Sequence, residues 1–176
     1  DEVGEMRRSF EQMRVSLQAR LSELNRLLTA SQGVASSLRL GEALEPILKA
    51  VTDSGADSAR IMLVRDMIPS PVEINVRFAG GPEKDTYLHL DQQLLALTEQ
   101  QERIVMAVLT LTRGLDLDPN LPNPESLIAV ALRHENRHYG VLWAGYKTQH
   151  VFSESDIRFV STLASQGALA VANIRL

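Results

Sequence analysis

The first 40 residues contain no proline, and apolar residues recur there every third or fourth position. This spacing is typical of a coiled coil and predicts one long helix that pairs through a narrow apolar stripe. The stripe is longer than one small domain can cover, so we expect a parallel homodimer rather than a helix lying on its own domain. The predicted seam comprises Met6, Phe10, Met13, Leu17, Leu21, Leu24 and Leu28. The small residues Gly167, Ala168 and Ala172 of the last helix are expected to extend the interface.

One irregularity interrupts the repeat. Leu17 follows Met13 by four residues, and Leu21 follows Leu17 by four more. Two successive spacings of four form a stutter, which locally unwinds a supercoil. Two interpretations remain open. The stutter is either a two-state element that relays a signal, or an adjustment where a coiled coil becomes a helix packed on a domain.

The rest of the chain alternates between helix-like and strand-like patterns. We expect a helix from Gly41 to Gly55 with Pro46 near its start, and a last helix that opens with a capping box at Ser153 and Asp156. Between these two helices the pattern predicts strands over 58–65, 72–79 and 103–107, a helix over 90–98 and a hairpin of strands 126–134 and 139–147. Residues 103–112 fit a strand or a helix by periodicity, and a strand over 103–107 is preferred. The predicted fold class is α+β, with an antiparallel sheet flanked by helices.

Composition excludes several kinds of chemistry. The 176 residues include no cysteine, which removes disulfides, thiolate catalysis and cysteine-based zinc sites. The net charge of −4 gives no electrostatic reason to expect a nucleic-acid partner. No nucleophile, base and orienting group occur together, so no catalytic residue is predicted. His134 and His138 flank a turn with only Glu135 beside them, so neither a metal nor a cofactor is predicted.

The closing stretch carries a family resemblance. Three features resemble the end of a GAF domain. They are the triplet at 140–142, Phe152 with Asp156, and the small-residue run from Leu163 to Asn173. The likeness covers residues 22–176, including the first and last helices of that domain. PAS domains share the architecture but lack this closing helix, and they remain the alternative fold.

The opening residues resemble a second family. The acidic start DEVGEM, followed by Phe10 and Met13, is similar to the second helix of a HAMP domain, over residues 1–21. That resemblance implies the cytoplasmic part of a bacterial inner-membrane receptor. An upstream transmembrane and HAMP segment and a downstream output domain, of histidine kinase or diguanylate cyclase type, would complete the chain.

The GAF resemblance also implies a pocket between the sheet and its covering loops. Polar or aromatic residues on the predicted strands are its candidate lining, the alternative being that Trp143 is core and that the arginines and Asn75 are solvated. These candidates are Arg60, Asn75, Arg77, Trp143 and Tyr146.

Some GAF domains bind cyclic nucleotides through a motif that Lys147, Phe152 and Asp156 match in part. Tyr146 and Ile157 replace its other two polar residues, which disfavours a cyclic nucleotide. We expect Phe152 in the core, Asp156 in the capping box and an ion pair between Lys147 and Asp156.

The predicted function is therefore a non-catalytic sensory and dimerisation module that relays a membrane signal. The alternative is a receptor for a small molecule.

Overall fold

The chain begins with a single helix of 52 residues, α1 (Glu2–Asp53), which Asp1 caps by accepting a hydrogen bond from the amide of Val3. The computed structural model describes residues 1–67, 75–109 and 114–174, without the side chains of 32, 33 and 67. The prediction of a separate helix from Gly41 is wrong, because α1 passes through Gly41 and Pro46 without a break. Proline in a helix interior costs a backbone hydrogen bond. Burial of the neighbouring apolar side chains offsets that loss, and those side chains are Leu40, Leu44, Ile47, Leu48 and Val51.

Five strands form one antiparallel sheet in the order β2-β1-β5-β4-β3. They are β1 (Ser58–Leu63), β2 (Arg77–Gly80), β3 (Arg103–Met106), β4 (Ser126–His134) and β5 (Arg137–Tyr146). The sheet and its flanking helices confirm the predicted α+β class. β1 ends two residues earlier than predicted, and residues 65–67 form a 3-10 turn. The first three residues of the predicted strand 72–79, and residues 110–112 of the ambiguous stretch, lie outside the described residues.

A tight turn joins β4 to β5. Glu135 and Asn136 both adopt positive φ, at 51° and 65°. Two consecutive residues with positive φ match the right-handed twist of the flanking strands, as in two-residue hairpins. β5 therefore starts at Arg137, two residues earlier than the sequence predicted.

Apolar residues cover both faces of the sheet. One face packs against α1 and the last helix, α3 (Glu154–Asn173), which begins with the predicted capping box at Ser153 and Asp156. The other face packs against α2 (Asp91–Leu97) and the 3-10 helix that precedes it. Each sheet face therefore has its own core. Among the described residues, no helix is long and apolar enough to cross a membrane.

The small-residue face of α3 points inward. Gly167 and Ala168 are buried, and a Cβ on Gly167 would lie 3.4 Å from both Ile47 Cδ1 and Leu132 Cδ2. Ala172 packs against the same core. The prediction that this face extends the dimer interface is wrong, because close packing of α3 on α1 and β4 already uses it.

Two glycines test this packing. A Cβ on Gly140 would lie 2.3 Å from the carbonyl oxygen of Met62, because β5 approaches β1 closely there. Gly140→Ala should lower the free energy of unfolding by about 2–3 kcal/mol, since backbone atoms must move. Gly41→Ala should raise it by about 0.5–1 kcal/mol, because alanine favours the helix interior and its Cβ would lie 3.9 Å from Phe78. Urea unfolding of both variants measures this, and an unaltered Gly140→Ala protein would contradict the close approach.

Candidate functional site

A buried ion pair lies between the sheet and α2. Arg60 on β1 donates from Nε to Asp91 Oδ1 at 2.9 Å and from Nη2 to Asp91 Oδ2 at 2.8 Å. The two side chains are 4% and 0% exposed. Such paired hydrogen bonds between a guanidinium and a carboxylate are strong and fix both groups in one orientation. Asp91 is the first residue of α2, so the pair attaches that helix to the centre of the sheet.

Trp143 completes the environment of the carboxylate. Its indole Nε1 donates to Asp91 Oδ1 at 2.7 Å, and the Trp143 side chain is fully buried. The third guanidinium nitrogen of Arg60 donates to the carbonyl of Lys84 and lies 3.4 Å from Asp85 Oδ1. The ion pair therefore also holds the segment that leads into α2.

A second guanidinium approaches the same carboxylate. Arg77 Nε on β2 lies 3.9 Å from Asp91 Oδ2, and the Arg77 side chain is 43% exposed. Because Arg60 already neutralises Asp91, Arg77 adds a positive charge that the buried carboxylate does not balance. Asn75 Oδ1 accepts a hydrogen bond from the Arg77 amide at 3.1 Å.

Arg77 and Asn75 line two clefts. One of about 720 Å³ lies between the β1–β2 edge and α2, where Gln92, Leu95 and Glu99 also line it. The other, of about 490 Å³, lies between β2 and α1. Either cleft has the size of a small-molecule site, and Arg77 gives it a positively charged wall.

Tyr146 lies on the opposite face of the sheet, in the core beneath α1 and α3. Its ring stacks on His150 at a centroid distance of 4.4 Å and meets Phe152 edge-on at 5.4 Å. Burial raises the pKa of Tyr146 to about 12. Of the five predicted pocket residues, the structure brings Arg60, Asn75, Arg77 and Trp143 to one region, and Tyr146 is not part of it.

The remnants of the nucleotide motif have structural partners. Phe152 is half-buried and packs against the core, as expected. Asp156 closes the capping box, and the hydrogen bond from the Ser153 amide is the main reason why its pKa is lowered. The predicted pair between Lys147 and Asp156 is wrong, because Lys147 Nζ lies 3.1 Å from Glu83 Oε1 and its amide donates to Asp57.

The histidines are also accounted for. His138 Nε2 lies 3.2 Å from Thr98 Oγ1, and burial lowers the pKa of His138. His134 lies 3.8 Å from the Glu135 carboxylate. Within the described residues, no three histidine or acidic side chains are grouped closely enough to hold a metal ion.

The predicted seam forms an exposed stripe along α1. Its seven side chains, from Met6 to Leu28, are between 54% and 65% exposed. They span about 33 Å of helix, at 1.5 Å per residue. A continuous apolar surface of this kind usually marks an interaction site.

Comparison with known proteins identifies the fold. A family model described as "GAF domain" matches residues 37–172. The GAF domain of an Acinetobacter phosphoenolpyruvate-protein phosphotransferase is 18% identical, with 82% of this chain and 93% of that chain covered and a TM-score of 0.58. For the cyanobacteriochrome receptor PixJ, the identity is 15%, the covered shares 79% and 99%, and the TM-score 0.56. For the type II free methionine-R-sulfoxide reductase of Thermoplasma acidophilum, the values are 12%, 80%, 98% and 0.56. No curated protein matches the chain.

Asp91 tests the buried network. Asp91→Ala leaves Arg60 buried without its counter-charge, which should lower the free energy of unfolding by about 3–5 kcal/mol. The matched control is Asp85→Ala, which removes the exposed carboxylate near the same guanidinium and should change stability by less than about 0.5 kcal/mol. Urea unfolding followed by Trp143 fluorescence measures both variants. Equal stabilities for the two would contradict the structural role of Asp91.

Proposed function

The chain belongs to the GAF domain family, and we propose that it is a non-catalytic sensory and dimerisation module that relays a signal along α1. The exposed apolar stripe of α1 is the observation that carries this proposal. In the proposed parent chain, the input is an upstream transmembrane and HAMP segment, and the receiver is a C-terminal output domain. The module would then lie in the cytoplasmic part of an inner-membrane receptor.

The stripe favours a second copy of the same helix as partner. Among the described side chains of α1, the first buried one is Ser36, so about 50 Å of helix precedes the domain, at 1.5 Å per residue. A helix without tertiary contacts is marginally stable in water. Pairing through the seam would bury each leucine, contributing roughly 1.5–3 kcal/mol per side chain.

The surface of α3 offers a place where the interface can continue. Phe159 and Leu169 are 42% and 45% exposed, on the side of α3 that faces away from the core. Leu38 on α1 is 62% exposed. We assign these three residues to the proposed interface, in place of the small residues that the sequence suggested.

The relay rests on the continuity of α1. The predicted boundary between residues 1–21 and 22–176 falls inside this unbroken helix. A change in seam packing at the stutter would therefore reach the domain through hydrogen-bonded helix rather than through a loop. Such an element can couple two sites if both bias its two states.

The non-catalytic assignment follows from how the polar groups are used. The Asp91 carboxylate accepts three hydrogen bonds from structural partners. The chain has no thiol that could serve as a nucleophile.

A small-molecule receptor is the second candidate, favoured by the cleft beside Arg77. The half-exposed guanidinium suits a ligand that carries a carboxylate or phosphate. A cyclic nucleotide is disfavoured, because Tyr146 belongs to the opposite core and Asp156 caps α3. A small molecule retained in native mass spectrometry would favour this candidate.

Charge in the seam should abolish the dimer. Leu24→Glu combined with Leu28→Glu places four carboxylates in the apolar interface of two chains, at a cost of several kcal/mol. We expect sedimentation equilibrium to give a dimer for the parent protein at micromolar concentration and a monomer for this variant. The control is Val15→Glu with Ser22→Glu, two exposed positions on the other side of α1, and it should remain dimeric. A monomeric parent protein, or a dimeric seam variant, would contradict the proposal.

Helix phase should determine the output of the parent receptor. Deletion of residues 17–20 removes the stutter and restores continuous heptads, so the output should be locked in one state whatever the stimulus. Insertion of seven residues after Arg20 adds one full repeat and should leave signalling largely intact. The activity of the output domain, assayed with and without stimulus, measures both. A deletion that responds normally, or an insertion as damaging as the deletion, would exclude helix phase as the carrier.

A further inference from the structure

Strand β3 leaves one edge of the sheet open. Within the described residues, β3 pairs only with β4, with Arg103 opposite Val130 and Val105 opposite Ile128. The Ala131 amide donates to the carbonyl of Glu102 at 2.9 Å. In an antiparallel ladder, the residues that exchange hydrogen bonds with the partner strand alternate with residues that do not. The N–H and C=O groups of Arg103 and Val105 therefore point away from β4.

A groove runs beside this open edge. Ile104 and Met106 are buried in the core under α2, so the side chains of Arg103 and Val105 lie on the α3 side of the sheet. A cleft of about 620 Å³ separates β3 from α3, where Glu154, Ile157, Arg158 and Ser161 line it. Val105 is 42% exposed, and Ile157 is half-buried. The groove thus combines free backbone groups with a small apolar patch formed by Val105 and Ile157.

The groove carries excess positive charge. Arg103 and Arg158 are exposed, and within the described residues neither guanidinium has an ion-pair partner. Glu154 is the one carboxylate among the lining residues. The hydroxyl of Ser161 is shielded from solvent and has no hydrogen-bond partner in the described part of the chain. These groups suit an occupant that carries acidic side chains.

We propose that the β3 edge and this groove bind an extended acidic segment of a partner protein as a sixth strand. The backbone of that segment bonds the free groups of Arg103 and Val105, as in other complexes formed by strand addition. Its alternate side chains lie over α3, where an apolar one contacts Val105 and Ile157. An acidic one pairs with Arg103 or Arg158. This surface is separate from the α1 seam, so the proposal does not depend on the dimer.

Protection of the edge is the competing explanation for Arg103. Short strands and charged side chains are common on edges, because they discourage pairing with other chains. Protection alone gives no reason for selective binding of acidic peptides. Binding therefore separates the two explanations.

The test uses three peptides, Thr-X-Thr-Val-Thr-X-Thr, in which X is glutamate, glutamine or lysine, so that valine and both X residues lie on the same face of the added strand. Amide chemical shifts of the labelled protein locate binding, and we expect the glutamate peptide to shift β3 and the start of α3. The lysine peptide should leave those resonances unchanged. Lower salt should strengthen binding of the glutamate peptide, since exposed charges are screened by ions.

Two variants address the two parts of the site. Val105→Pro removes an N–H that makes no bond to β4. Proline is tolerated at such a position on an edge strand, so the protein should still fold. The variant should abolish binding of the peptide. Val105→Thr keeps that N–H and should bind like the parent. Arg158→Glu should weaken binding about fivefold to tenfold at low salt, whereas the control Arg137→Glu, at an exposed arginine in the hairpin, should not.

The outcomes decide the proposal. Loss of binding in Val105→Pro and weaker binding in Arg158→Glu, with both controls intact, would support it. Absence of any shift at about 1 mM glutamate peptide, a concentration that detects even millimolar affinity, would overturn it. Equal binding of the lysine peptide, or undiminished binding by a folded Val105→Pro protein, would also overturn it. If Val105→Pro fails to fold, the comparison of Arg158→Glu with Arg137→Glu decides alone.

Discussion

The buried pair of Arg60 and Asp91 is the constraint on which the α2 side of the molecule depends. Removing two charges from water costs nearly as much as their attraction returns, so such a pair adds little net stability. The pair instead determines geometry, because a buried charge is strongly destabilising unless the opposite charge lies beside it. The pair aligns the start of α2 with the middle of β1, and Trp143 on β5 fixes the same carboxylate. The position of α2 on the sheet is thereby fixed, and the apolar residues between them pack in one arrangement.

The two faces of the sheet consequently have different roles. The α2 face is fixed by polar contacts at its centre and has a solvent-open cleft at its margin, beside Arg77. The opposite face shares its core with α1, since Leu40, Leu44 and Val51 pack on the sheet together with α3. A change in the packing of the sheet would therefore alter the contacts of α1, the same helix that carries the exposed seam. A sensory domain needs this connection between its core and its helix.

Local sequence patterns predicted features that depend on neighbouring residues. They did not predict contacts between residues that are far apart in the sequence. The capping box at Ser153 depends on residues three apart, so its sequence sufficed. Asp91 lies 31 residues from Arg60, and nothing near it marks it as a partner. One signal was available: an arginine inside a strand that is apolar on both faces requires a buried carboxylate. The separation of Tyr146 from Trp143 could also have been predicted, since the two lie three residues apart, and an odd separation along a strand places side chains on opposite faces.

The angular positions on α1 would allow one helix to contact the proposed partner and the domain at the same time. Successive residues of an α-helix are rotated by about 100°. Leu40, Leu44 and Val51 are therefore rotated by about 120–160° from Leu28 in the seam. The proposed partner and the domain would thus occupy different sides of the helix, and neither would have to leave for the other to bind. Because the backbone is continuous between them, a rotation imposed on the seam turns the domain-facing side by a similar angle. Pro46 lies within that domain-facing stretch, where its missing hydrogen bond makes the helix easiest to bend. Leu40 and Leu44 are the first large side chains of α1 packed in the core, so such a rotation would displace them first, inside the core shared with the sheet.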